Sequence, residues 1–401
     1  MNAALLVAGV LGLAFGAGLS IRAQEATGEV NSPAGQSVVT SYLDYKEVSY
    51  SFINWSLQIS KRSATFNKEP AFGRDNVARG TIKFGGGTNS EMAFAWDRTA
   101  RKLYLDLNRN LDLTDDPAGV FLCQQGAGDF LQTFANVHLP FRPTPDDHPV
   151  LVDLNLYNYG SPNGSAAVRS FWQGKVTLQG EEWQVGLLEN PFAQRPSSES
   201  GNLLLRPWTE RNRAYSVYAG SLDAVPFSRK LFLGGRAYQL QYTNEVQDGS
   251  AKVRVQFTEE QPKLGDLNIT GDFVRRLTLE GGPYLVVLDK PGKTVKVPLG
   301  QYHSAKVCVQ KGDVQASLDA RTRAAERGIA VSEKAPAVLK VGGPLTNSVS
   351  INRNGRKLSL NYQLVGAGGA YQMLNQDRSH PPEFAVYQGD KKVASGKFEF
   401  G

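Results

Sequence analysis

Residues 80–108 read GTIKFGGGTNSEMAFAWDRTARKLYLDLN, and this stretch decides the fold. It holds three short runs, GTIKFGG, EMAFAWD and KLYLDLN, in which apolar and polar residues alternate. Strand side chains point to the two faces in turn, so a period of two predicts half-buried strands. Turn residues separate the runs, and DRTAR (residues 97–101) is the tip between the last two, so the stretch is a meander. FGGGT (residues 84–88) precedes no helix and reads as a hairpin connection, not a phosphate cradle.

The same alternation recurs in PVLVDLNLY, GKVTLQG, EWQVGLLE, NLLLRPW, AYQLQYT, AKVRVQF, YLVVLD, TVKVPLG and AKVCVQ. The chain has 401 residues, 41 of them Gly and 20 Pro, which is too long for one ordinary core and rich in turns. The expected fold class is all-β: several antiparallel β-sandwich or meander domains in tandem, with at most one short helix besides the N-terminal segment. That helix falls in VQASLDARTRAAERG (residues 314–328), where Ala and Arg favour it and Gly328 ends it. Composition places an N-terminal β domain at 24–228, a middle β-sandwich at 229–330 and a C-terminal immunoglobulin-like domain at 336–401. RNGR (residues 353–356) predicts a two-residue hairpin in the last, because Asn-Gly supplies the positive φ of a type I′ turn, and QGDKK supplies another tip. Residues 80–116 and 174–208 share an order of Gly-bounded strand, Trp-containing strand and Leu strand. Either this is an internal repeat, with Arg206 standing where the first copy has Asp106, or two meanders look alike by chance.

The N-terminus sets the expected compartment. NAALLVAGVLGLAFGAGLSI, followed by RAQ, has the length of a signal-peptide core, and Ile21 and Ala23 fit the −3 and −1 positions for cleavage before Gln24. No Lys or Arg precedes the core, and the alternative is a single uncleaved anchor, since ~20 apolar residues can cross a bilayer. No later stretch is apolar enough to span a membrane, so the mature chain is expected on the outer side. The net charge of +6 is spread thinly, without a block of five basic residues, which argues against a nucleic-acid partner. Cys123 and Cys308 form neither a disulfide framework nor a zinc site; they are either two buried thiols or one bridge between the first and middle domains.

The candidate site follows the third strand. Residues 103–117, LYLDLNRNLDLTDDP, hold four Asp and two Asn. Counting Asp106 as position one, oxygen-bearing side chains fall at the odd positions: Asp106, Asn108, Asn110, Asp112 and Thr114, with Leu113 as an apolar anchor at position eight. Calcium takes six to eight oxygens, and alternate residues of a curled loop turn toward one centre. A plain turn needs only one or two such residues. Several carboxylates this close repel by roughly 1 kcal/mol per pair even in high dielectric. The stretch resembles calcium loops of the EF-hand and dockerin type. That resemblance implies a structural Ca2+ held by Asp106, Asn108, Asn110 and Asp112, with Asp115 or Asp116 closing the cage. It departs at position six, Leu111 instead of Gly, so the turn there is expected to be made differently. It departs again at position twelve, where Pro117 has no ligating side chain, and its lead-in is a strand instead of a helix.

Two wider resemblances follow. LDKPGKTVKVPLGQYHSAKVCV, with Pro298, Gly300 and Tyr302, is similar to carboxypeptidase-regulatory-like and transthyretin-like domains. AFAWDRTARKLYLDLNRNLDLTDDP, LGDLNITGDF and the GGPL…LNYQLVGAGG…SGKFEFG ending look like a group of exported, uncharacterised bacterial proteins, a likeness that implies no activity.

Catalytic signatures are missing from the sequence: no Gly-x-Ser-x-Gly elbow, no His-Glu-x-x-His, no P-loop and no dinucleotide-binding glycine fingerprint. His138, His148, His303 and His380 are scattered. Only His148, behind Asp146 and Asp147, suggests half of an acid–base pair. The five Trp read as core, or as sugar-stacking platforms if they line a concave face, and the polar-aromatic loop at residues 157–164 reads as exposed. The expectation is a non-catalytic exported protein that acts in envelope structure or binds a glycan or envelope protein. The alternative is an exported hydrolase with carboxylates that are not contiguous in sequence, to be recognised by a cleft holding two of them.

Overall fold

A computed structural model describes residues 37–401 apart from 50–52, 61–63, 74–75, 85–90, 140–149, 159–161, 189, 191, 193–200, 214–222, 248, 322–327, 356, 375–380 and 399–401. The expected signal segment and its expected cleavage point, His148, His380 and the tip of the 157–164 loop lie outside the described residues.

The described chain is all-β, with only three-residue 3₁₀ turns at Pro117–Gly119 and Trp208–Glu210 besides strands. The expected helix is overturned where it is described: Val314–Arg321 is a strand, paired along its length with Ser304–Lys311. Burial alternates there, with Ala316 and Leu318 inward, and that period of two outweighs the helix propensity of Ala and Arg. No helix among the described residues is long and apolar enough to cross a membrane.

The meander is as expected: Val77–Lys83, Glu91–Asp97 and Lys102–Leu105 pair antiparallel in order, and Val120–Leu122 adds a fourth strand. This sheet packs on a five-stranded one ordered Ile53–Ser56, Pro162–Val168, Val150–Asn158, Leu131–Leu139 and Gln125–Ala127. Between them lie Met92, Phe94, Trp96, Leu103, Phe134 and Leu154, all fully buried. Glu91–Asp97 is buried at every position but the first, so it reads as a solid apolar run, AFAW, with little alternation.

A fifteen-stranded sheet carries most of the rest. Its first nine strands run Ala224–Pro226, Asn202–Pro207, Glu181–Leu188, Ser170–Leu178, Val38–Glu47, Ser250–Glu260, Arg236–Gln247, Lys230–Leu233 and Leu285–Asp289. Leu203 and Leu205 from one flank share a core with Leu231, Leu285 and Val287 from the other, so this stretch curls on itself. It continues through Val274–Glu280, Ser304–Lys311, Val314–Arg321, Gly369–Met373, Lys357–Ala367 and Gly342–Asn354. A third core lies between these strands and the three-stranded sheet Thr294–Pro298, Leu264–Ile269, Ala337–Leu339. Among the described strands two pairings are parallel, Lys230–Leu233 with Leu285–Asp289 and Leu264–Ile269 with Ala337–Leu339. The Pro298-x-Gly300-x-Tyr302 step is closed by the buried Tyr302, whose hydroxyl donates to the Pro298 carbonyl at 2.9 Å.

The second meander, Ser170–Leu178, Glu181–Leu188 and Asn202–Pro207, keeps the first one's register. Gly80 faces Phe94, which faces Leu105; Gly174 faces Val185, which faces Leu205. Both glycines sit where a Cβ would collide, 2.9 Å from the Phe94 ring and 2.5 Å from the Tyr42 carbonyl oxygen. One row on, the Asp106 N–H donates to Ala93, and Arg206 stands opposite Gln184. The tryptophans do not share a row: Trp96 faces Leu103, whereas Trp183 faces Pro207.

Three details differ from expectation. The 353–356 hairpin forms, but Asn354 pairs with Lys357, so Gly355, at φ 61°, is the first turn residue and Asn354 stays in the strand. Of the two readings of the cysteines the free thiols hold and the bridge does not, but only Cys308 is buried, in the long sheet; Cys123, partly exposed, borders the first core. Trp96 and Trp183 are core as expected, but Trp208 is only half-buried and lines a cleft.

Candidate functional site

The acidic loop joins two neighbouring antiparallel strands, Lys102–Leu105 and Val120–Leu122, at the edge of the four-stranded sheet. Leu107 packs against the first core, and Leu113, the expected anchor, is buried. Between them the chain must curl, and its own side chains hold the curl. Asp106 is 1 % exposed and accepts the N–H groups of Asn110 and Leu111, both at 3.1 Å. Asn108 Oδ1 accepts the Asn110 N–H at 3.0 Å, and Asn110 Oδ1 accepts the Asp112 N–H at 2.7 Å. Asp116 Oδ2 accepts the Leu107 N–H at 3.0 Å. Arg109 and Leu111 take left-handed φ values of 62° and 65°. Position six is thus turned in the conformation that favours glycine, but by a leucine, so the expectation of a different turn there is corrected. The two N–H bonds to Asp106 offset the strain.

Five of the six candidate ligands form one network. Asp115 accepts the amide N–H groups of Asn108 at 3.2 Å and Asn110 at 2.7 Å, and the Asn110 main-chain N–H links both Asp106 and Asn108. The Asp112 carboxylate lies apart: it accepts the Thr114 N–H at 2.8 Å and hydroxyl at 2.6 Å, with Lys68 Nζ 3.9 Å away. Burial, and the negative charge of Asp115, push Asp106 above the ordinary carboxylate range. Asp116 is raised by burial and then by Asp106 and Asp115. Asp112 is lowered by its bonds to Thr114, with Lys68 contributing. Sequence reasoning missed the brace from outside the loop. Asn67 N–H donates to the Leu111 carbonyl at 2.8 Å, Asn67 Nδ2 to the Asn110 carbonyl at 3.1 Å, and Leu113 N–H to the Lys68 carbonyl at 3.0 Å. No acidic or alternating pattern marks Asn67 and Lys68, so only their place beside the loop identifies them.

Among the described residues, no three His, Cys, Asp or Glu side chains are gathered as a metal group. The donor set of the loop is mixed, with Asn oxygens interleaved between carboxylates. Each accepting Asn oxygen keeps a second lone pair, and each carboxylate keeps more. Such a set suits a hard cation that tolerates carboxylate, amide and carbonyl oxygen together.

A cleft of about 920 Å3 lies elsewhere, lined in part by Trp183, Trp208, Glu181, Glu182, Glu210 and Asp289. Lys175 and Arg211 sit over the Trp208 ring, 5.0 and 5.1 Å from its centroid. Glu210 and Asp289 both bond to the guanidinium of Arg275, and Glu210 also pairs with Arg213 at 3.2 Å. His138 is half exposed and 3.2 Å from Glu47, and His303 is exposed.

No protein family, curated protein or solved structure matches the chain.

Proposed function

We propose that this is a non-catalytic exported β-sandwich protein whose acidic loop holds a structural calcium ion, and that it binds a glycan or an envelope protein. The observation that supports the ion most is the burial of Asp106 and Asp116 beside Asp115, with both pKa values raised. A divalent cation relieves that repulsion, and calcium accepts irregular sets of six to eight oxygens where magnesium demands a near-ideal octahedron. Asp106, Asp115 and Asp116 would supply carboxylates and Asn108 and Asn110 amide oxygens. Position seven ligates through its main-chain carbonyl in loops of this type, so Asp112 would contribute that group and leave its carboxylate with Thr114. The ion would pin the end of the four-stranded sheet.

The test is thermal unfolding in EDTA, in 10 mM calcium and in 10 mM magnesium, the concentrations being chosen to exceed the roughly 10⁻⁴–10⁻³ M affinity of extracellular modules. Saturation at such affinity stabilises by about 1.4–2.7 kcal/mol, a rise of a few degrees for calcium alone. Asp106→Asn is expected to abolish the rise and Asp112→Ala to keep most of it. Equal midpoints in EDTA and calcium would reduce the loop to an acidic turn.

The raised pKa values fix the pH dependence. A carboxyl held above its unfolded value contributes nothing to stability at low pH, where both states are protonated. It destabilises once the unfolded form ionises, and fully so above its folded pKa. In EDTA the penalty therefore grows as pH rises from about 4. The calcium-induced rise is expected to grow over the same window and to vanish below it; a rise that persists at pH 3 counts against these carboxylates as ligands.

The hydrolase reading stands second. The cleft beside Trp208 holds more than one carboxylate, which favours it, but Glu210 and Asp289 share Arg275 and are tied up as ion pairs. Turnover of a glycan or peptide substrate that disappears in Glu210→Gln/Asp289→Asn would put this reading first.

A further inference from the structure

A second, smaller cavity of about 140 Å3 is lined by Arg213, Arg275, Arg276, Gln310 and Gln315, with the acids Glu210, Asp223 and Asp289. The cluster around it is built from buried charge. Asp223, 1 % exposed, is shared by Arg206 at 2.9 Å, Arg213 at 2.9 Å and Arg276 at 3.3 Å. Arg275 takes Glu210 and Asp289. Among the described residues, four guanidiniums, Arg206, Arg213, Arg275 and Arg276, thus face three carboxylates, Asp223, Glu210 and Asp289. Arg276 is only 4 % exposed, and among the described residues its Nε and Nη2 have no hydrogen-bond partner. A buried donor left without a partner is costly, more so when it is charged. Cys308 lies close by but cannot supply the missing charge: burial pushes its thiol up to about 12, so it stays neutral despite the nearby arginines.

We propose that this cavity binds a small tetrahedral oxyanion, such as inorganic phosphate or sulfate. Guanidinium forks match oxyanion geometry, and charge-assisted bonds of this kind are the strong ones. Gln310 and Gln315 line the cavity with Arg276, and Gln310 Nε2 also donates to the Gly312 carbonyl at 3.3 Å. A water takes up about 30 Å3 of liquid, so the space admits a tetrahedral anion with a few waters left around it. There is also a way in. An open recess of about 470 Å3 shares Glu210, Arg275 and Gln310 with the cavity and adds Phe273 and Lys290 at its rim. Both of those take left-handed φ values, 61° and 45°, which few non-glycine residues adopt. Residues held in such conformations are enriched at ligand-binding and switch regions. Lys311 stands over the Phe273 ring at 5.0 Å, adding positive charge at the entrance. The site is separate from the acidic loop and does not depend on calcium.

The experiment is a titration of the full chain with sodium phosphate, in EDTA to keep calcium away. Ionic strength is held constant with chloride, and both the unfolding midpoint and the 31P line width of phosphate are read. Sulfate and acetate form parallel arms. The expected result is a saturable rise with phosphate and with sulfate, absent with chloride. Gln310→Glu, which puts a negative charge at the cavity wall from a partly exposed strand position, is expected to weaken binding at least tenfold. Arg276→Met is expected to abolish binding; if it fails to fold, Gln310→Glu carries the test. The absence of a saturable shift with phosphate and sulfate in the wild type overturns the proposal. So does unchanged binding in Gln310→Glu, or a response to acetate alone.

Discussion

Trp96→Ala is expected to lower stability by about 3–5 kcal/mol from lost burial and the cavity left behind. Trp96 is fully buried at the centre of the first core, and its indole N–H donates to Gln132 Oε1 at 2.7 Å. Gln132 is itself fully buried and spends its amide N–H groups on the carbonyls of Arg98 at 2.8 Å and Gly128 at 3.1 Å. It therefore cannot turn to find another partner for its oxygen. Orphaning that oxygen adds about 1–3 kcal/mol. Trp96→Phe separates the two contributions, since it keeps most of the apolar volume and loses the donor. Chemical denaturation should rank wild type above Trp96→Phe above Trp96→Ala. A Phe variant as stable as wild type would show that the Gln132 bond contributes nothing. The same network ties the tip at residues 98–101 to the five-stranded sheet, so the loss is expected to loosen the acidic loop as well.

Asp223→Ala is the second large loss, about 3–5 kcal/mol, because it leaves buried guanidiniums uncompensated. Arg206 is fully buried and Arg276 nearly so, so losing Asp223 leaves both guanidiniums poorly compensated. Asp223 joins the strand Asn202–Pro207, through Arg206, to Val274–Glu280, through Arg276, across the curl of the long sheet. A buried charge group is costly to break and less costly to replace whole. Arg206→Met combined with Asp223→Leu is therefore expected to lose less than the sum of the two single changes. Thermal unfolding of the four proteins of that cycle measures the coupling. Additive losses would mean that the three arginines find other partners when Asp223 is gone.

These contacts mark the limit of what could be read from the chain. The strands at residues 80–108 were legible because period two is a local property, and because Gly, Asn and Asp at the tips dictate local backbone angles. The acidic loop was legible for the same reason: its oxygens alternate along the chain, and the curl that gathers Asp106, Asn108 and Asn110 uses bonds spanning only two to five residues. Misreadings arose where local signals compete. In VQASLDAR the helix-forming Ala and Arg obscured an alternation that only the neighbouring strand Ser304–Lys311 rewards. In RNGR the register lay one residue later, because two strands meeting along ten rows fix it more strongly than the turn does.

The sequence by itself therefore determined the all-β class, the first meander, and the alternating oxygens of residues 106–116. The tertiary structure alone decided which strands pair over distance, as Val38–Glu47 does with Ser250–Glu260, and which face of each strand is inside. It also decided that the carboxylate of Asp112 leaves the network for Thr114 and Lys68. Arg206, Asp223 and Arg276 are ordinary charged residues in the sequence. They become one buried cluster only when the curl of the sheet brings its far strands together, since a charge acquires its partner and loses its water through packing, which no local pattern encodes.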